Sequence, residues 1–97
     1  MEEKSIALAD GTVIDGCGAG YADGDLWIYP EMTMKEAAGL FLEEEKTQTI
    51  VYSRGGEVIT YIGFTDCIMM NVVPGGLRIM LTGTDTQIIH GDEQEEE

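Results

Sequence analysis

The 97-residue chain carries 19 Asp and Glu against five Lys and Arg, a formal net charge of −14. A surface this negative repels phosphate backbones and anionic lipid, which argues against direct nucleic-acid binding and against docking on a charged membrane. The length suits one domain with a modest core, two cysteines are too few for a disulfide scaffold, and no apolar run approaches the ~18 residues of a membrane helix.

The opening Met1-Glu2-Glu3-Lys4 is acidic and leads into no signal-like apolar stretch, so the chain reads as cytoplasmic on synthesis, with Cys17 and Cys67 reduced and packed rather than bonded. Ser5-Ile6-Ala7-Leu8-Ala9 predicts the first strand. Asp10-Gly11 is a dipeptide favoured in two-residue type I′ turns, and Thr12-Val13-Ile14 returns as the partner strand. Residues 15–24 are glycine-rich around Cys17 and Tyr21 and predict a loop or a heavily bulged strand. Asp25-Leu26-Trp27-Ile28-Tyr29 is a third strand, ended by Pro30.

Thr33-Met34-Lys35-Glu36 is a capping box that opens a helix. Met34, Ala37, Ala38 and Phe41 form its apolar stripe, with Leu42 on the flank and Lys35, Glu36 and Glu43 opposite. Glu43, Glu44 and Glu45 oppose the macrodipole at a helix C-terminus, so the helix should finish near Glu44. Strands follow at 48–53, 58–64, 67–73 and 77–81, separated by the turns Arg54-Gly55-Gly56-Glu57 and Pro74-Gly75-Gly76, with a short edge strand at 87–89. In the fourth of these segments Leu77, Ile79 and Leu81 share one face and Arg78, Met80 and Thr82 the other. The expected class is α+β: a mainly antiparallel sheet of six or seven strands with one short helix packed on one face, in the order β-β-β-α-β-β-β-β. Residues 1–90 form the domain, and 91–97, with five acids and nothing to bury, read as a disordered tail.

Candidate chemistry is sparse. Gly16-Cys17-Gly18-Ala19-Gly20 invites comparison with a phosphate-binding loop, but Asp15, Asp23 and Asp25 surround it with negative charge and no helix start follows. The same three aspartates match no calcium-loop spacing, and Asp23-Gly24-Asp25 is more simply a turn. His90 could pair with Cys17 or Cys67 as base and nucleophile, yet beside the acidic tail it reads as a solvated terminal residue. No catalytic, cofactor-binding or metal-binding residue is therefore assigned, and no cofactor is expected. Trp27, Tyr29, Tyr52, Tyr61 and Phe64 fall on strands where period-2 alternation would send some to the outer face, and Met69, Met70 and Met80 add soft apolar groups; of these, Trp27, Tyr29, Tyr61, Met69 and Met80 are the expected protein interface. The expected partner is another protein or a second copy, with a homo-oligomer anticipated.

Taken together, the opening Leu8-Ala9-Asp10-Gly11-Thr12-Val13-Ile14, the helix from Thr33, the strand pair at 58–64 and 67–73, and the closing Leu77-Arg78-Ile79-Met80-Leu81-Thr82-Gly83 resemble small proteins from the structural-gene modules of tailed phages and prophages of Gram-positive bacteria. The likeness spans residues 5–83 in order and spacing of elements. It implies a non-catalytic virion or assembly protein of the head or tail, incorporated into a virion or tail-like particle and acting through its surfaces. The alternative is an acidic DNA mimic that fills the positive groove of a nuclease or restriction enzyme, which the net charge fits directly.

Overall fold

A computed structural model describes residues 3–92. The alternation along 77–81 sets the architecture: Leu77, Ile79 and Leu81 are buried while Arg78, Met80 and Thr82 between them are only half-buried. A strand with one dry face belongs to a sheet that packs on something. Here that something is a second sheet. The first sheet contains β1 (Lys4–Ala7), β2 (Val13–Asp15), β5 (Thr49–Arg54), β6 (Glu57–Ile62) and β9 (Gln87–Asp92), in the order β2-β1-β5-β6-β9. The second contains β3 (Gly18–Ala22), β4 (Asp25–Tyr29), β7 (Asp66–Val73) and β8 (Gly76–Thr82), in the order β3-β4-β8-β7. Every strand pair is antiparallel.

The mainly antiparallel α+β class therefore holds, while the single sheet of six or seven strands becomes two sheets. Ile6, Ile50 and Tyr52 of the first sheet share one core with Leu26, Ile28, Leu77, Ile79 and Leu81 of the second. Because each sheet covers the other, the helix is not the cover of a sheet face. Helix α1 (Met34–Phe41) contributes Ala37 and Phe41 to the core and packs beside β7 and a second helical turn, α2 (Glu44–Thr47). Met34 and Leu42, expected on the buried stripe, are exposed.

The helical segment divides for an electrostatic reason. Thr33 caps α1 as expected: its hydroxyl accepts from the Glu36 amide, and Glu36 accepts from the Thr33 amide at 3.0 Å. The helix stops at Phe41 instead of running to Glu44, and Glu43 is extended at φ −107° and ψ 115°. At the end of α1 three carboxylates would face the negative pole. Restarting the helix puts Glu44 and Glu45 in the first turn of α2 and Lys46 in its last, where each sign suits the dipole. The Lys46 ammonium also donates to the Gly39 carbonyl at 2.9 Å.

Two Asp-Gly dipeptides exchange roles relative to expectation. Around Asp10-Gly11 the Gly11 amide donates to Leu8 O and the Leu8 amide to Thr12 O, with Gly11 at φ +95°. That is a three-residue loop with a glycine bulge, not a two-residue type I′ turn. The type I′ turn is Asp23-Gly24, at φ +55° and +85°, between the paired residues Ala22 and Asp25. It settles the glycine-rich segment, expected as a loop or a bulged strand, as strand β3, which takes its ladder from β4. At the other end of the chain β9 takes in Gly91 and Asp92, paired with Val58 and Glu57. The tail expected at 91–97 therefore does not hold for Gly91 and Asp92, and positions 93–97 lie outside the described residues.

Candidate protein-interaction face

The outer face of the four-stranded sheet gathers four of the five expected interface residues. Gly20 pairs with Trp27, Trp27 with Met80 and Met80 with Met69, so one straight row crosses β3, β4, β8 and β7. Tyr29 projects on the same side one pair further along β4, 46 % exposed. A β-bulge between Cys67 and Met69 brings Met69 into this row. It inserts Ile68 as an extra residue, which turns Met70 inward against Ile79 and leaves Met69 outward beside Met80.

Tyr61 does not join them. It is 3 % exposed, inside the core, edge-on to Phe64 at 6.0 Å between ring centroids. Its phase on β6 is the one that meets Ile50 of β5 and Ile88 of β9, both turned to the opposite sheet. Burial, with Tyr52 and Glu57 adding to it, pushes the Tyr61 phenol above its ordinary pKa.

The Trp27 ring is held from two sides. Its indole N–H donates to Ala22 O at 3.3 Å, and the Arg78 guanidinium carbon lies 5.7 Å from the ring centroid. Arg78 Nε is buried with no hydrogen-bond partner, leaving a donor unsatisfied beneath an apolar surface. A groove of about 300 Å³ runs along the open edge of β3, lined by Gly18, Gly20, Tyr21, Trp27 and Tyr29 of this sheet and by Tyr52 of the other. Nothing lies within 4 Å of where a Cβ on Gly20 would stand, so the space beside Trp27 on β3 is open. Arg78 was placed beside Met80 by alternation alone. The glycine lining was hidden because Gly-Ala-Gly carries no strand propensity of its own.

The residues weighed for other chemistry stand apart. Asp15 ends β2 on one sheet, Asp23 occupies the turn after β3, and Asp25 opens β4, so β3 separates the first from the other two. Among the described residues no three His, Cys, Asp or Glu side chains converge on a common point. His90 is exposed and sits within a strand, opposite Ile59, instead of in a tail. Cys17 is fully buried, and that burial pushes its thiol up to about 12. Burial also raises the Cys67 thiol. Both thiols are free. No described helix is long and apolar enough to cross a membrane. Comparison of the chain with protein-family models, with curated proteins and with solved structures finds no match in any of the three.

Proposed function

We propose that this chain is a non-catalytic protein-interaction module, in its most concrete form an accessory or assembly protein of a phage or prophage head or tail. The observation that carries the reading is the row Gly20-Trp27-Met80-Met69 on one outer sheet face, with Tyr29 beside it. Trp and Tyr are the side chains that anchor interfaces, and Met adapts its shape to a partner. The hydrogen bond and the cation–π contact fix the indole before any partner arrives, which lowers the ordering cost of docking.

Trp27 is the chain's one tryptophan, so its emission reports this face directly. The test is co-expression with the products of the genes flanking its own, then titration of the purified pair. A supporting result is a stable complex whose formation shifts Trp27 emission to the blue and which is lost in a Trp27→Ala, Met80→Ala double variant that melts normally.

The net charge of −14 favours a second reading, an acidic DNA mimic that inhibits a nuclease or restriction enzyme. Salt separates the two. An apolar contact persists or tightens as salt rises, whereas a row of carboxylates in a basic groove loses affinity steeply. Tight, salt-sensitive binding to a nuclease with no change in Trp27 emission sinks the interaction-module reading.

A further inference from the structure

The other outer face, that of the five-stranded sheet, carries a second cross-strand row. Val13 pairs with Ala7, Ala7 with Val51, Val51 with Thr60 and Thr60 with Ile89, one residue from each of β2, β1, β5, β6 and β9. The phase is outward, since Ile6, Ile50, Tyr52 and Tyr61 on the alternate positions are the buried ones. None of the five row residues packs on the core. Val13 at one end is 59 % exposed and Ile89 at the other is 50 % exposed. The described helices make their main contacts elsewhere: α1 packs on α2 and β7, and α2 on α1 and β5.

What distinguishes this face is its charge. The chain holds 19 acidic residues, yet Asp15, at the corner of β2, is the one charged residue at the outward positions of this sheet. The neighbouring outward positions are Ser, Thr, Val, Ile, Gln and Gly. Apart from Asp15, the charged residues of these strands, Lys4, Arg54, Glu57 and Asp92, fall in one different register row, in the opposite phase. A basic protein or a cation would be drawn to carboxylates, so a face kept clear of them does not serve such a partner. It serves one that is itself acidic, for which every carboxylate at the contact would meet another. The acidic partner that is always present is a second copy.

We infer that the outer face of the five-stranded sheet is the contact between two copies of this chain, packed sheet on sheet about a two-fold axis. An isologous contact needs a self-complementary patch, and a straight row of small and β-branched side chains supplies one. Five strands at ~4.8 Å spacing, with two outward positions on each of β1 and β2 and three on each of β5, β6 and β9, give about 400 Å² per copy, roughly 800 Å² for the pair, below the ~1,000 Å² of a stable specific interface and in the range of a transient one. The dimer is accordingly weak and reversible, and repulsion between two chains at −14 each weakens it further at low salt. This contact is separate from the Trp27 face and does not depend on what docks there.

The test is sedimentation of the full chain from about 10 µM to about 1 mM, a range that brackets weak interfaces of this size, at low and high salt. The expected result is a mass that rises toward a dimer with concentration and does so at least ~3-fold sooner in high salt. Thr60→Glu, next to Val51 at the centre of the row, should weaken the dimer by ~10-fold or more, because it puts a carboxylate into a contact between two acidic chains. Val13→Asp, at an exposed position where folding is not at stake, should act in the same direction. Mixing the Thr60→Glu and Thr60→Lys chains should restore the dimer, and Trp27→Ala should leave it unchanged. A chain that stays monomeric at every concentration and salt overturns the inference. So does a dimer that survives Thr60→Glu and Val13→Asp but is lost in Trp27→Ala, a result that would move self-association to the Trp27 face and leave the proposed function standing.

Discussion

Cys17 shows how a single position couples burial to pH. Its side chain has no accessible surface, and it sits just ahead of β3 where the chain crosses from one sheet to the other. The thiolate would have to form without water, so the group is held up to about 12 against an ordinary 9.0. In the unfolded chain the thiol ionises at its ordinary pKa. The folded state therefore keeps its full advantage below that value and loses it as pH rises towards the folded value. The urea midpoint should fall between about pH 9 and about pH 12, and Cys17→Ala should flatten part of that decline. Tyr61, raised by the same burial, contributes in the same direction. Near neutral pH, native protein should resist alkylation at Cys17 until denaturant is added, and rapid labelling of Cys17 in the folded chain would show that this corner opens. Asp10 works at the acid end with the opposite sign. The Thr12 amide bonded to its carboxylate at 3.0 Å lowers its pKa, so what stabilisation it gives is present above the ordinary carboxylate range and is lost on acidification.

At the scale of elements, Thr33→Ala should cost about 0.5–2 kcal/mol, read as a shift in urea midpoint, because it removes the oxygen that caps α1. Two glycines give a sharper contrast. A Cβ on Gly83 would collide with the Gly63 carbonyl, where the connection after β6 passes the end of β8, so Gly83→Ala must displace the backbone of one of these connections. A Cβ on Gly20 would meet nothing within 4 Å, and Gly20 has no left-handed backbone to protect. Gly20→Ala should leave stability unchanged or raise it by about 0.5–1 kcal/mol, while Gly83→Ala should lower the melting temperature by several degrees or more. The capping box was legible in the sequence because all of its chemistry lies within four residues. So were the strands at 49–54, 57–62 and 76–82, whose β-branched and aliphatic residues carry their own signal. For residues 15–24 the sequence left loop and bulged strand both open, since the glycines of β3 become a strand only through β4 and the Asp23-Gly24 turn. Tyr61 was misplaced because Val58 to Ile62 is apolar or β-branched in both phases, and the buried phase is chosen by a strand nearly thirty residues away. Met69 faces outward through a bulge that no local pattern announces.

For the whole molecule, the division into two sheets is the step that local reading could not reach. Which dry face covers which is a long-range choice, and turn chemistry says nothing about it. Its consequence is that the Trp27 row and the Val13-to-Ile89 row lie on opposite sides of a body measuring 40 × 34 × 26 Å, with both layers of strands and the common core between them. Sites separated this way and sharing no contact residues add in free energy to within ~0.3–0.5 kcal/mol. A protein partner on the Trp27 face should therefore bind the monomer and the dimer alike. In a titration followed by Trp27 emission, the Thr60→Glu chain should show the wild-type midpoint to within about twofold. Conversely, saturating the Trp27 face should leave the concentration dependence of dimerisation in place. Salt gives the independent check on the dimer, because that contact is made between two chains at −14 on a face nearly free of charge, and screening should strengthen it. A midpoint that moves by tenfold on Thr60→Glu, or a partner that drives the dimer apart, would mean that the two faces communicate through the core, and the picture of two independent docking surfaces on one rigid sandwich would have to be abandoned.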